Sequence, residues 1–202
     1  MTAPYVLVQV AGGWTFVGQC LDEGTSGDER VLLKNAAIIH DWGTDKGLGG
    51  LQARPTEKTQ LHPIPILEGS DGIRIERRSV RCTFQLKPDH WAPALTWKGK
   101  EPINGHDRVT VKLFQVAGGW TFIGQFLEES YDRYLLSKPI IVHDWGQEKG
   151  LGQLVFGPSD KTVAHPVHLE HGDSFAVERR SVRVAVDLSA KGWERTLGLD
   201  LT

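Results

Sequence analysis

The chain opens on a β-branched run, Tyr5-Val-Leu-Val-Gln-Val10, breaks at Ala11-Gly12-Gly13, and resumes as Trp14-Thr-Phe-Val-Gly-Gln-Cys-Leu21. In the second run Trp14, Phe16 and, past Gly18, Cys20 recur at a period of two, which is the period of a strand with one buried face. Two such runs at hairpin spacing across a Gly-rich turn predict a β-hairpin. Val31–His40 supplies a third strand. Arg74–Leu86 alternates Ile75, Val80, Cys82, Phe84 and Leu86 with charged residues, and predicts one long strand with a bulge near Arg77-Arg78. Gly47–Leu51 reads as a single helical turn. Pro63 and Pro65 confine the run from His62 to Leu67 to an edge strand or an extended loop. No stretch sustains the period of an amphipathic helix.

The same pattern then recurs. Gln9-Val-Ala-Gly-Gly-Trp-Thr-Phe-Val-Gly-Gln19 returns as Gln115-Val-Ala-Gly-Gly-Trp-Thr-Phe-Ile-Gly-Gln125. His40-Asp41-Trp42-Gly43 returns as His143-Asp144-Trp145-Gly146, and Lys46-Gly47-Leu48-Gly49 as Lys149-Gly150-Leu151-Gly152. His62-Pro63 returns as His165-Pro166, Glu76-Arg-Arg-Ser-Val-Arg81 as Glu178-Arg-Arg-Ser-Val-Arg183, and Trp91 as Trp193. The copies differ in length only in Gly/Ser/Asp-rich stretches, where loops absorb insertions at little cost. Self-similarity at this spacing marks a tandem duplication. The reading is two all-β modules with minor helical turns, 1–100 and 101–202, each a small bent sheet or barrel, the pair related by a pseudo-twofold axis.

Composition narrows the class. The chain has 202 residues, 40% of them apolar and 24% charged, and a net charge of −2. A near-neutral chain without a basic run is a poor ligand for duplex nucleic acid, whose binding rests on phosphate neutralisation. No apolar run is long enough to span a bilayer, and the first residues lack the charged and apolar regions of a signal peptide. The expected setting is therefore the cytoplasm. Cys20 and Cys82 stand opposite Phe126 and Val184 in the second copy. A cysteine interchangeable with Phe or Val is a small core residue, and both are expected to be reduced.

Four motifs carry candidate chemistry. In His-Asp-Trp-Gly the indole can stack on a base, the imidazole can donate to a phosphate, and Gly permits close backbone approach. The alternative is a tight turn capped by Asp and closed by Gly. In Arg-Arg-Ser-Val-Arg, a continuous strand would put Arg77, Ser79 and Arg81 on one face, where two guanidinium groups could grip a phosphate or carboxylate. The alternative is a solvated strand with Glu76 as an ion-pair partner. Gly12-Gly13 is a hairpin turn, too short for a phosphate-binding fingerprint and followed by no helix. His40, Asp41 and His62 are of metal-ligand type, but their spacing matches no usual site. Ser79, His40 and Asp41 supply the residue types of a hydrolase without a nucleophile elbow. The expected ligand-binding set is thus His40, Asp41, Trp42, Arg77, Ser79, Arg81 and the second-copy His143, Asp144, Trp145, Arg179, Ser181, Arg183, with no metal, no cofactor and no catalysis.

From Tyr5 to Leu51 the module resembles a family of small phage and prophage proteins of unknown function. The resemblance is carried by Gly12-Gly13, Phe16-Val17-Gly18, Trp42-Gly43 and Leu48 to Leu51. This chain departs from that family in being duplicated and in carrying His-Asp ahead of the Trp. The resemblance implies a phage origin and, by analogy, action through binding. The expected function is a non-enzymatic sponge for a nucleotide-derived anionic signal of an antiviral system. The alternatives are a phage component that binds a protein through an apolar, Trp-rich surface, and a weak nucleotide hydrolase. Self-association through an edge strand is compatible with all three.

Overall fold

A computed structural model describes residues 3–22, 29–43, 50–52, 54–64, 72–96, 109–146, 151–169 and 174–201. These fall into two compact units, 3–96 and 109–201. The first Lys-Gly-Leu-Gly segment, Pro65, His171 and the stretch joining the two copies lie outside the described residues.

The first unit contains β1 (Tyr5–Val10), β2 (Thr15–Asp22), β3 (Arg30–Asp41), β4 (Gln60–Pro63), β5 (Ile73–Glu76), a 3-10 turn (Arg77–Ser79), β6 (Val80–Gln85) and α1 (Pro88–Ala94). The second contains β7 (Val111–Val116), β8 (Thr121–Glu129), β9 (Arg133–Asp144), α2 (Leu151–Leu154), β10 (Val163–Pro166), β11 (Phe175–Glu178), a 3-10 turn (Arg179–Ser181), β12 (Val182–Leu188) and α3 (Ala190–Leu197). Each unit is thus mainly β with small helices.

The two units share one topology. In the first, the antiparallel order is β6-β1-β2-β3, and β5 and β4 pair with successive halves of the long strand β3. In the second, the order is β12-β7-β8-β9, with β11 and β10 on successive halves of β9. The hairpin register repeats as well: Val8 faces Phe16 as Phe114 faces Phe122. The Gly-Gly turns are those of the predicted hairpin.

Three residues of 3-10 turn connect β5 to β6, which lie at opposite ends of this strand order. On a flat sheet the four strand spacings between them would measure about 19 Å. The 3-10 backbone advances only about 2 Å per residue, or about 8 Å from Glu76 to Val80. The sheet must therefore curl back on itself. Bulges supply the bend: the β2–β3 register shifts between Val17 and Gln19 and again between Cys20 and Asp22, and the β8–β9 register shifts at the matching places. Gly18 and Gly124 sit opposite these bends, where a Cβ would lie 3.0 Å from the carbonyl oxygens of Lys34 and Ser137 respectively. Among the described residues no ladder joins β5 to β6 or β11 to β12, so each module is a bent open sheet and not a closed barrel.

Two expectations are corrected here. The long strand Arg74–Leu86 is two strands broken by the 3-10 turn at Arg77–Ser79. The cause is local: Ser79 Oγ donates to the Glu76 carbonyl at 2.6 Å, and Ser181 Oγ to that of Glu178 at 2.7 Å. A serine hydroxyl that satisfies the backbone in this way competes with the ladder. The second correction is α3, an amphipathic helix buried at Ala190, Trp193 and Leu197. Ser189 caps its N-terminus by accepting from Gly192 N–H, and Gly198 ends it at φ 57°. α1 starts at Pro88 and buries Trp91.

These helices close the apolar face of each sheet. In the first unit, Leu7, Val17, Ala37 and Ile39 pack with Leu51, Leu86, Trp91 and Leu95. The inner side of the curl holds residues such as Phe114, Tyr134, Leu136 and Val177 in the second unit. Cys20 and Cys82 are free thiols, donating to the Asp22 carbonyl and to Gln9 Oε1. No helix among the described residues is long and apolar enough to cross a membrane.

Candidate functional site

The His-Asp-Trp-Gly motif ends β3, and its second copy ends β9. Asp41 Oδ1 accepts the Gly43 N–H at 2.8 Å, and Asp144 Oδ1 accepts the Gly146 N–H at 2.8 Å. Gly43 and Gly146 have φ of 61° and 60°, and a Cβ on either would fall 2.3 or 2.2 Å from the carbonyl carbon of Lys58 or Lys161. Only glycine fits. The turn carbonyls are used too. Thr59 Oγ1 donates to Trp42 O and Thr56 Oγ1 to Gly43 O; Thr162 Oγ1 donates to Trp145 O and Ser159 Oγ to Gly146 O. Trp42 is half-buried against the core beneath α1. Asp, Trp and Gly therefore build an Asx turn pinned to the following segment.

The histidines are left over from this accounting. His40 is exposed, and its ring lies against that of His62 in β4, with centroids 5.2 Å apart and planes 13° from parallel. His143 meets His165 at a similar distance, 5.1 Å, but edge-on, with planes 67° apart. The sheet register produces both pairs. Ile38 faces Phe16 on one side and His62 on the other, and Ile141 faces Phe122 and His165. Two residues along each strand, on the same face, stand Trp14 and His40, or Trp120 and His143. Trp120 is 50% exposed and sits edge-on to His143 at 6.3 Å; Trp14 stacks instead on Phe16 at 6.4 Å. The second unit so carries a Trp120–His143–His165 row, and the first the His40–His62 pair with Trp14 turned onto Phe16, at the end of the sheet where the Gly-Gly turn lies.

The arginine motif is placed differently from the strand reading. Arg77 and Arg81 are exposed while Ser79 is buried, so the three do not share a face. The second-copy residues Arg179, Ser181 and Arg183 are each half-buried. Arg78 pairs with Glu76 at 3.7 Å, Arg180 with Glu178 at 2.7 Å, and Arg179 with Glu129 at 3.9 Å. The 3-10 turn is anchored by Ala11 N–H to Ser79 O and by Arg77 N–H to Glu29 O. Glu29 precedes the start of β3, whereas His40-Asp41 ends it. Ser79 Oγ is buried and spent on Glu76 O.

His40 lies beside His62, which the sequence had set with it as a residue of metal-ligand type, and His143 lies beside His165 and Trp120. The available signal was the hairpin register, which puts Trp14 two residues before Phe16 on the face shared with Ile38. Of the potential metal ligands, His40 and His62 come together. Among the described residues no group of three or more His, Cys, Asp or Glu side chains surrounds a common point. No family model, curated protein or solved structure matches the chain.

Proposed function

We propose that this protein is a non-catalytic binder of a small nucleotide-like anion, held on the Trp120–His143–His165 row and on the His40–His62 pair. The observation that carries the reading is the pairing of imidazole rings at matching positions in both copies, with an exposed indole beside the second pair. An indole offers a face for a base, and each imidazole offers at least one N–H to a phosphate oxygen. The exposed Trp120 gives the second unit the more open platform. The serine of the arginine motif donates to a backbone carbonyl in both copies, which counts against a serine nucleophile. The likeness of the hairpin and Trp-Gly motifs to small phage proteins makes capture of an antiviral nucleotide signal the role we favour.

The test is to incubate the purified protein with cyclic dinucleotides and ADP-ribose derivatives, remove free ligand, and denature by heat. Recovery of intact ligand is the expected outcome. Altered ligand would identify an enzyme, and no retained ligand would leave protein binding through exposed apolar residues as the function.

A further inference from the structure

We infer that each His pair is also a two-histidine site for a borderline divalent transition-metal ion, copper(II) tightest, with zinc and nickel following in the same nitrogen site. Two imidazoles bound to one metal at about 2.05 Å, separated by a tetrahedral angle, have ring centroids about 5.2 Å apart. The observed separations are 5.2 Å for His40–His62 and 5.1 Å for His143–His165. β4 and β10 pair with the strands that carry His40 and His143: His62 stands opposite Ile38 and His165 opposite Ile141, and His40 and His143 follow two residues on, at a register irregularity. The ring planes differ between the copies, at 13° and 67°, so the rings must turn about their side-chain bonds for their nitrogen lone pairs to converge on one ion.

Among the described residues, each site has two protein ligands. Asp41 and Asp144 direct Oδ1 into their turns, and no third His, Cys, Asp or Glu completes a cluster among the described residues. A site with two protein nitrogens leaves the remaining positions to water or to an incoming anion. Such a site holds an exchangeable ion, and affinity follows the usual order in which copper exceeds zinc. This inference rests on the imidazole geometry and stands apart from the nucleotide reading.

The experiment uses the untagged full chain, stripped of metal by dialysis against EDTA, and no nucleotide. Zinc is titrated calorimetrically into the protein and into His62→Phe, His165→Phe and the double variant. Phenylalanine keeps an aromatic ring in each stack but removes the donor nitrogens. Each single variant is expected to lose one equivalent of zinc per chain and the double variant two, with unchanged circular dichroism. On the unsubstituted protein, the copper(II) electron paramagnetic resonance spectrum is expected to show two equatorial nitrogens per ion. A zinc titration indifferent to the substitutions, or a copper spectrum with a single imidazole nitrogen, would overturn the assignment.

Discussion

The indole Nε1 of Trp193 donates a 2.8 Å hydrogen bond to the carbonyl oxygen of Leu154, and both residues are fully buried. The first unit repeats the contact from Trp91 to the Leu51 carbonyl at 3.0 Å. In each unit the helix after the last strand is thereby latched to the short helical segment that follows the His-Asp-Trp-Gly turn. The latch joins the closing helix of the core to the chain segment leaving the candidate site.

Trp193→Phe should keep most of the apolar contact but leave the Leu154 carbonyl without its donor. An unsatisfied buried group of this kind costs about 1–3 kcal/mol. Trp193→Ala adds a cavity and should cost about 3–5 kcal/mol. Denaturant titration of the two variants should show that order, with Trp91→Phe behaving as Trp193→Phe.

Gly146→Ala and Gly119→Ala make a matched pair. Both glycines have positive φ, 60° and 86°, but an added Cβ meets the Lys161 backbone at 2.2 Å in the first and nothing within 4 Å in the second. Gly119→Ala should therefore show conformational strain alone, on the order of 1 kcal/mol. Gly146→Ala must also displace the turn, and should be clearly the more destabilising by thermal melting.

Ser130 Oγ donates to Asp132 Oδ1 at 2.8 Å in the β8–β9 turn, and this bond holds the Asp132 carboxyl below the ordinary aspartate range. A carboxyl whose folded-state pKa is lowered stabilises the fold above its unfolded pKa, and that contribution disappears as pH falls through the lowered folded value. The Asp132 carboxyl carbon, followed by NMR, should titrate below an ordinary aspartate. Ser130→Ala should move its midpoint upward.

The duplication, the Gly-Gly hairpin and the strand from Val31 to His40 were legible because each rests on a local period or on direct self-comparison. The 3-10 turn at Arg77–Ser79 was not, because the alternation of Ile75, Val80, Cys82 and Phe84 runs through it unbroken. What interrupts the strand is a serine hydroxyl closing on a backbone carbonyl three residues back. α3 escaped because eight residues give barely two turns, too few for a period to assert itself. Its cap Ser189, its stop Gly198 and the spacing of Ala190, Trp193 and Leu197 were nevertheless readable signals. The candidate site was half legible. His40 and His62 were grouped by residue type, but that their rings lie side by side follows from the pairing of β3 with β4, which no single segment encodes.

If the histidine pairs and Trp120 bind a nucleotide-like anion without altering it, their ring resonances respond to the ligand and the ligand survives. The most direct measurement is NMR of the His and Trp side chains while cyclic dinucleotides and ADP-ribose are added in turn, with the ligand signals followed in the same samples. At least one of these ligands is expected to shift the ring resonances of His143, His165 and Trp120, with those of His40 and His62 moving in parallel, while the ligand stays intact. Ring resonances that stay fixed with every ligand, or a ligand whose own signals change to those of a hydrolysis product, would contradict it.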